Sequence, residues 1–237
     1  MRYALVNNQR VLANKEAENA ICECCKMPVK PFCGKINIEH FRHLQKNDCD
    51  SWYEPISEWH LNWQNMFPEN FREIVILKNG KAHRADILNS KGTVIELQKS
   101  FISPEEIKQR ESFYEKMVWI FSGIEFRKNF NVCFKWTTDI KTSDKRVKAY
   151  NWSYPKKHIY TCQKPVFIDF GTDYLYWINF LSNKKPEFRS SYRTTSGDEY
   201  YDVDEGDYKE IYETVTSYYW YPVKLISKSS FMAHYSV

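Results

Sequence analysis

Two acids stand ten positions apart, Asp86 in the run Ala82-His83-Arg84-Ala85-Asp86-Ile87-Leu88 and Glu96 in Val94-Ile95-Glu96-Leu97-Gln98. In a strand, residues two apart share a face, so Glu96, Gln98 and Ser100 project together while Leu97 and Lys99 point away. Asn89-Ser90-Lys91-Gly92 has the composition of a hairpin turn. Such a turn folds the second strand back beside the first and brings Asp86 and Glu96 near each other. Two carboxylates so placed supply the hard oxygens that Mg²⁺ prefers and can hold the ion against a phosphate. Strand alternation puts His83 opposite Arg84 and Asp86, which ranks it below Asp86 as a site residue. The plain alternative is an amphipathic hairpin with solvated charges.

A second chemical cluster lies upstream. Of seven cysteines, four fall between Cys22 and Cys33, and His40-Phe41-Arg42-His43 and Cys49-Asp50 follow. Cys22 and Cys25 form a C-x-x-C, the spacing at which two thiolates of one turn reach a tetrahedral zinc. His40 and His43 are the second close pair. Cys49 is an alternative ligand that could displace one histidine, and reduced surface cysteines beside a hydrophobic turn are the bland alternative. Zinc would replace the apolar core that about fifty residues can hardly build.

Positioning these groups requires a defined set of elements. Ser57 is a suitable N-cap, Glu58 an acid in a first turn and Pro68 a stop, which together predict a helix over 57–67. Trp59, Trp63 and Met66 recur at helical spacing and should pack on a sheet, while His60 and Gln64 share a different face. The β-prone run Glu73–Leu77 and the Asn79-Gly80 turn lead into the strand of Asp86. Ser103-Pro104-Glu105-Glu106 opens a second helix with a capping serine and a first-position proline. That helix carries Arg110 and Tyr114 and is followed by a buried strand over Met117–Phe121. Helix, three-stranded meander, helix, strand is the order αβββαβ.

Composition bounds the rest. The chain has 237 residues, 43% hydrophobic and 17% aromatic, which excludes disorder throughout. The net charge of +4 is too mild to argue for nucleic acid by itself. No stretch reaches the about eighteen apolar residues of a membrane span, and Met1–Asn8 lacks the pattern of a signal peptide. A cytoplasmic location is the expectation, without a membrane partner. From Glu125 onward the chain is aromatic and β-prone. Val166–Gly171 and Tyr174–Ile178 read as a hairpin, the run 198–213 as an acidic solvated loop, and Tyr218–Tyr221 as core aromatics rather than a base-stacking patch.

The Asp86…Glu96-x-Gln98 spacing resembles the core of PD-(D/E)XK nucleases, with Gln98 where most of them carry lysine. The wider run Glu96-Leu97-Gln98-Lys99-Ser100-Phe101-Ile102-Ser103, continued by Arg110 and Tyr114, is similar to the nuclease domain of competence protein CoiA and its relatives. The C-x-x-C … H-F-x-H order resembles the N-terminal module of that family, although Glu23 stands where proline is usual. The Glu58-Trp59-His60 helix and the segment Pro165-Val166-Phe167-Ile168-Asp169-Phe170-Gly171 extend the similarity to about Phe180.

The resemblance implies an α/β fold: a restriction-endonuclease-like core over 51–124, a zinc-ribbon-like module over 1–50 and a β-rich aromatic region over 125–237. It also implies a Mg²⁺- or Mn²⁺-dependent nuclease acting on DNA, in uptake, recombination or defence. The expected metal ligands are Asp86 and Glu96, with Gln98 placing water and Glu58 and His60 as further catalytic residues. Structural Zn²⁺ would sit on Cys22, Cys25, His40 and His43. The alternative is a catalytically inactive, zinc-stabilised DNA-binding or protein-interaction module.

Overall fold

The computed structural model describes residues 1–34, 38–45, 49–52, 54–133, 144–179, 189–193, 200–202 and 217–236. They form two compact units, one of Met1–Leu97, Gln109–Trp119 and Met232–Val237, the other of Gln98–Lys108 and Ile120–Phe231.

The first unit begins with two small hairpins. Strand β1 (Tyr3–Val6) pairs antiparallel with β2 (Gln9–Leu12), and β3 (Val29–Phe32) with β4 (His40–His43). Their shared core is assembled from Ala4, Ala13, Ala17, Ala20, Val29 and Phe41, with Cys22 fully enclosed. Alanines bury little area each, so this core is weak at the usual ~25 cal/mol per Å². Arg10 fastens the module to the following strand: its guanidinium donates to Glu23 Oε1 at 2.9 Å and to the carbonyls of Arg72 and Glu73 at 2.7 and 3.1 Å.

After the hairpins the elements follow the expected order along the chain. Helix α1 (Glu58–Asn65) is followed by β5 (Arg72–Lys78), β6 (Lys81–Leu88) and β7 (Val94–Gln98). Helix α2 (Pro104–Tyr114) then carries the chain to β8 (Met117–Ser122), which lies beside β7. Ser57 caps α1 through the amide of His60, and Ser103 Oγ accepts from Glu106 N at 3.1 Å. In the β6–β7 turn, Asn89 Oδ1 accepts from the amides of Lys91 and Thr93, and Gly92 takes a left-handed φ of 71° that a side chain would resist.

Helix α1 differs from its expected orientation. Its buried residues are His60, Trp63 and Gln64, with Phe67 just beyond its end, while Met66 is exposed. Of the apolar Trp59/Trp63/Met66 stripe Trp63 is buried as expected, and the packing face is shifted from Met66 toward His60 and Gln64, which hydrogen bonds admit to the interior. His60 Nε2 donates to Leu97 O at 3.0 Å, its Nδ1 pairs with Ser57, and Gln64 Oε1 accepts from Arg2 at 3.5 Å.

The second unit is a β-rich aromatic body. Strands β9 (Phe130–Cys133), β10 (Val147–Trp152), β11 (Val166–Asp169) and β12 (Tyr174–Trp177) are joined by β13 (Arg189–Arg193), β14 (Tyr200–Asp202) and the eleven-residue β15 (Ser217–Ser227). β15 pairs with β13 along its first part and with β12 along its last, and with β10 between them. The predicted 166–178 hairpin is present as β11 and β12, turning at Gly171 with φ 75°. Phe126 stacks on Trp152 at 4.7 Å and Phe130 on Tyr150 at 4.6 Å, so this aromatic density is core. Helix α3 (Lys228–Tyr235) packs Phe231 against Phe167 at 5.1 Å. Apart from Tyr200–Asp202, the acidic run 198–213 lies outside the described residues.

Candidate active site and metal cluster

The register of β6 and β7 pairs Ile87 with Ile95 and Leu88 with Val94. One step further along, Asp86 faces Glu96, and here the backbone ladder stops. Two side chains take over from it: Asp86 Oδ2 accepts from Leu97 N at 2.8 Å, and Glu96 Oε1 accepts from Asp86 N at 3.3 Å. Each acid thus holds an amide that the parting strands release, and an amide with no partner would cost about 1–3 kcal/mol. The exchange fixes both carboxylates at the mouth of the split.

Both acids are held away from their ordinary charge state. Burial is the main cause for Asp86, pushed up to about 7 against the pull of Leu97 N and Arg110, with Glu73 and Glu54 adding repulsion. Burial, then Asp86 itself, raises Glu96 to about 8. Arg110 offsets part of this. Its Nη1 donates to Glu96 Oε2 at 2.8 Å and its Nη2 to Trp52 O at 3.0 Å, both partners of the ion pair being nearly sealed from solvent. Arg110 therefore leaves both acids raised, the crowding of carboxylates that favours a divalent cation.

Tyr114 Oη and Glu73 Oε1, buried near these acids, have no hydrogen-bond partner among the described residues. Burial first, then Glu96, drives the Tyr114 hydroxyl well above its usual range, so it stays protonated and able to donate. Glu73 is 3% exposed, and its other oxygen accepts from Arg2 N at 2.8 Å. It sits in β5 with a left-handed φ of 49°, between the pairs Arg72–Ile87 and Ile74–Ala85, which puts it level with Asp86. Glu73 and Glu54 were not singled out by sequence. A lone glutamate at the start of a strand carries no signal of its own, and only the β5–β6 register reveals its place.

The other residues singled out by sequence distribute as follows. Gln98 closes β7, is buried, and donates through Nε2 to Ser100 O at 3.3 Å. His60 is buried with both ring nitrogens engaged, and holds the carbonyl of Leu97, the residue whose amide binds Asp86. Glu58 is exposed in the first turn of α1. His83 points away from the acids, its Nδ1 on Asp50 Oδ1 at 2.9 Å and its ring stacked on Trp52.

The cysteine-rich segment forms a second centre. Donor atoms of Cys22, Cys25, His43 and Cys49 all lie within 4.8 Å of one another. Cys22 and Cys49 sulfurs are 3.6 Å apart, and Cys25 Sγ lies 3.3 Å from His43 Nε2. Two thiolates each about 2.3 Å from a tetrahedral zinc would stand about 3.8 Å apart, so the spacing fits that ion. His40 is not part of the cluster. Its Nδ1 is on Ile38 O at 2.7 Å, its Nε2 accepts from Arg42 at 2.9 Å, and its ring stacks on Phe32. Cys49 takes the fourth corner instead. Burial opposes ionisation of Cys22, but the amides of Cys25 and Cys24 and the Arg84 guanidinium outweigh it and lower the thiol below its usual value. Burial and the neighbouring Cys22 push Cys49 far up, so without a cation the cluster cannot ionise all its thiols.

No helix among the described residues is long and apolar enough to cross a membrane. No curated protein and no solved structure gives a significant match to the chain. Residues 76–184 match the family described as Competence protein CoiA, nuclease-like domain, a span that takes in Asp86, Glu96, Gln98, Arg110 and Tyr114 and leaves out the Cys/His cluster. On that match residues 76–184, though not the chain as a whole, are similar to the CoiA nuclease-like domain family.

Proposed function

We propose that the chain is a Mg²⁺- or Mn²⁺-dependent nuclease of PD-(D/E)XK type that hydrolyses phosphodiester bonds of DNA, in uptake, recombination or defence. The observation that carries this reading is the opposed pair Asp86 and Glu96 at the split between β6 and β7, both raised toward neutrality by burial and by neighbouring acids. A divalent cation bound there would polarise the phosphate and lower the pKa of a water.

The chain's own groups have separable tasks in this scheme. Asp86 and Glu96 give up their protons as they bind the cation. Arg110 holds Glu96 in position and His60 holds the Leu97 carbonyl, which steadies the strand end on which Asp86 hangs. The Tyr114 hydroxyl is a free donor for a phosphate oxygen or a water. Gln98 stands where a lysine is usual and can orient water but not deprotonate it, so the base function falls to the carboxylates. Zn²⁺ on Cys22, Cys25, His43 and Cys49 completes an N-terminal module whose alanine core is too slight to stand without it.

The buried Glu96–Arg110 pair favours a second reading, a non-catalytic DNA-binding module in which arginine replaces the cation. Cleavage of labelled single-stranded, double-stranded and RNA substrates by wild type, Asp86→Ala and Glu96→Ala decides between them. Mn²⁺-dependent cleavage lost in both variants supports the nuclease. Cleavage that survives both removes the proposed site, and salt-sensitive DNA binding without cleavage supports the second reading.

A further inference from the structure

The Cys/His cluster and the acid pair lie in the same compact unit, and a four-residue segment joins them. Cys49 is a member of the cluster. Asp50, next in the chain, uses both oxygens on β6: Oδ1 accepts from His83 Nδ1 at 2.9 Å and Oδ2 from Arg84 N at 2.8 Å. Oδ1 also accepts from Trp52 N at 3.0 Å, which closes the segment into a tight turn. Trp52 then lies flat against His83, ring centroids 3.3 Å apart, and its carbonyl accepts from Arg110, the residue that holds Glu96. A third link runs from Cys24 Sγ to Ala82 O at 3.6 Å, and the Arg84 guanidinium lies beside Cys22.

These contacts fall where β6 needs support. Among the described residues the β6–β7 ladder covers Ile87 and Leu88, and the stretch Ala82–Asp86 pairs with a strand on the β5 side alone. Asp50 supplies an acceptor for the amide of Arg84, two residues before Asp86. The same turn reaches the other acid through Trp52 and Arg110. Both metal ligands of the proposed site are therefore located with reference to Cys49.

We propose that Asp50 is a positioning residue that couples occupancy of the Cys22/Cys25/His43/Cys49 cluster to the placement of Asp86 and Glu96. This rests on the nuclease reading of that acid pair. The N-terminal cluster then does more than stabilise its own module. Filling it fixes the loop that bears Asp50, and the filled loop holds the β6 edge and Arg110 in the arrangement that accepts a divalent cation. Outer partners of metal ligands commonly govern affinity by about 10–100-fold when removed.

The test uses the full chain with Co²⁺ in the cluster, whose thiolate charge-transfer absorption reports that site, and Mn²⁺ as the probe of the acid pair. Mn²⁺ binding is followed by electron paramagnetic resonance and by the Mn²⁺ dependence of cleavage, in wild type, Asp50→Ala, His83→Phe and Glu96→Ala. Asp50→Ala should keep the cobalt spectrum and its stoichiometry while the Mn²⁺ half-saturation rises at least about tenfold. His83→Phe retains the ring stack, loses only the hydrogen bond to Asp50, and should give a smaller change in the same direction. It also keeps the test open should Asp50→Ala fail to fold. Unchanged Mn²⁺ affinity in both variants overturns the coupling. So does loss of the cobalt spectrum in step with Mn²⁺ affinity, which would make Asp50 a builder of the cluster only. Wild-type protein whose Mn²⁺ binding is insensitive to Glu96→Ala overturns the nuclease reading itself, a result distinct from either.

Discussion

Replacing Asp86 with asparagine should abolish metal-dependent cleavage and yet stabilise the protein without a divalent cation, by an amount that depends on pH. In the folded chain the carboxyl is raised from 3.8 to about 7, chiefly by burial and further by Glu73 and Glu54. That interval corresponds to about 4 kcal/mol at 1.36 kcal/mol per pH unit. Asp86 is half-buried, so solvent screening reduces the expected effect to about 2–3 kcal/mol. The sign follows from proton binding. Between about pH 4 and 7 the folded state keeps a proton that the unfolded state has lost, so stability falls as pH rises through that window and levels off above it. Below pH 4 both states are protonated and the cost is absent. Asparagine stays neutral throughout and retains an oxygen for the amide of Leu97. Zinc-loaded wild type and Asp86→Asn should therefore melt within a degree or two of each other near pH 4.5. At pH 8 the variant should melt higher by about 4–12 °C, taking about 2–4 °C per kcal/mol for a chain of this size. Adding Mn²⁺ should raise the wild type alone, because only a binding-competent native state gains from ligand. A gap of equal size at both pH values, or a variant less stable than wild type at pH 8, would refute the claim that Asp86 is held at a cost for the sake of its site.

Three further outcomes follow from the same contacts. Mn²⁺ affinity should climb steeply from pH 6 to 8, because binding displaces protons from carboxyls at about 7 and about 8. Calorimetry in buffers of different ionisation enthalpy should detect the released protons, and a pH-independent affinity without proton release contradicts the scheme. Arg110→Met removes the hydrogen bonds to Glu96 and Trp52 and should cost about 2–3 kcal/mol in urea unfolding at pH 8. The loss should be smaller at pH 5, where Glu96 takes up a proton instead of being stranded as an anion, and equal losses would count against its raised pKa. Cys49→Ser should bring zinc below half an equivalent while His40→Ala keeps a full one, read by elemental analysis of purified protein. The opposite pattern would restore His40 as the fourth ligand.

What the sequence revealed, and what it hid, follows from how far each interaction reaches along the chain. The facing of Asp86 and Glu96 depends on a two-residue period and one Asn–Gly-bounded turn, both local, so it could be read directly. The order helix, meander, helix, strand rests on caps and periodicity and was legible for the same reason. Hydrophobicity alone places Trp63 of helix α1 correctly but also turns Met66 inward, where the structure leaves it exposed. Trp59 and Met66 are more apolar than His60 and Gln64, but Leu97 O and Arg2 lie across the unit and make the polar residues the buried ones. The fourth ligand shows the same limit. His40 and Cys49 are both at admissible spacing from Cys22 and Cys25, and His40 is withdrawn only because Ile38, Arg42 and Phe32 engage it locally. Glu73 and Asp50 could not be found at all, since each acts on β6 from another part of the chain, Asp50 across more than thirty residues. The contacts of Asp50 are also the ones that join the Cys/His cluster to the strand of Asp86. Local sequence pattern picks out the candidate acids and thiols, whereas the groups that place them become visible only once the chain has closed on itself.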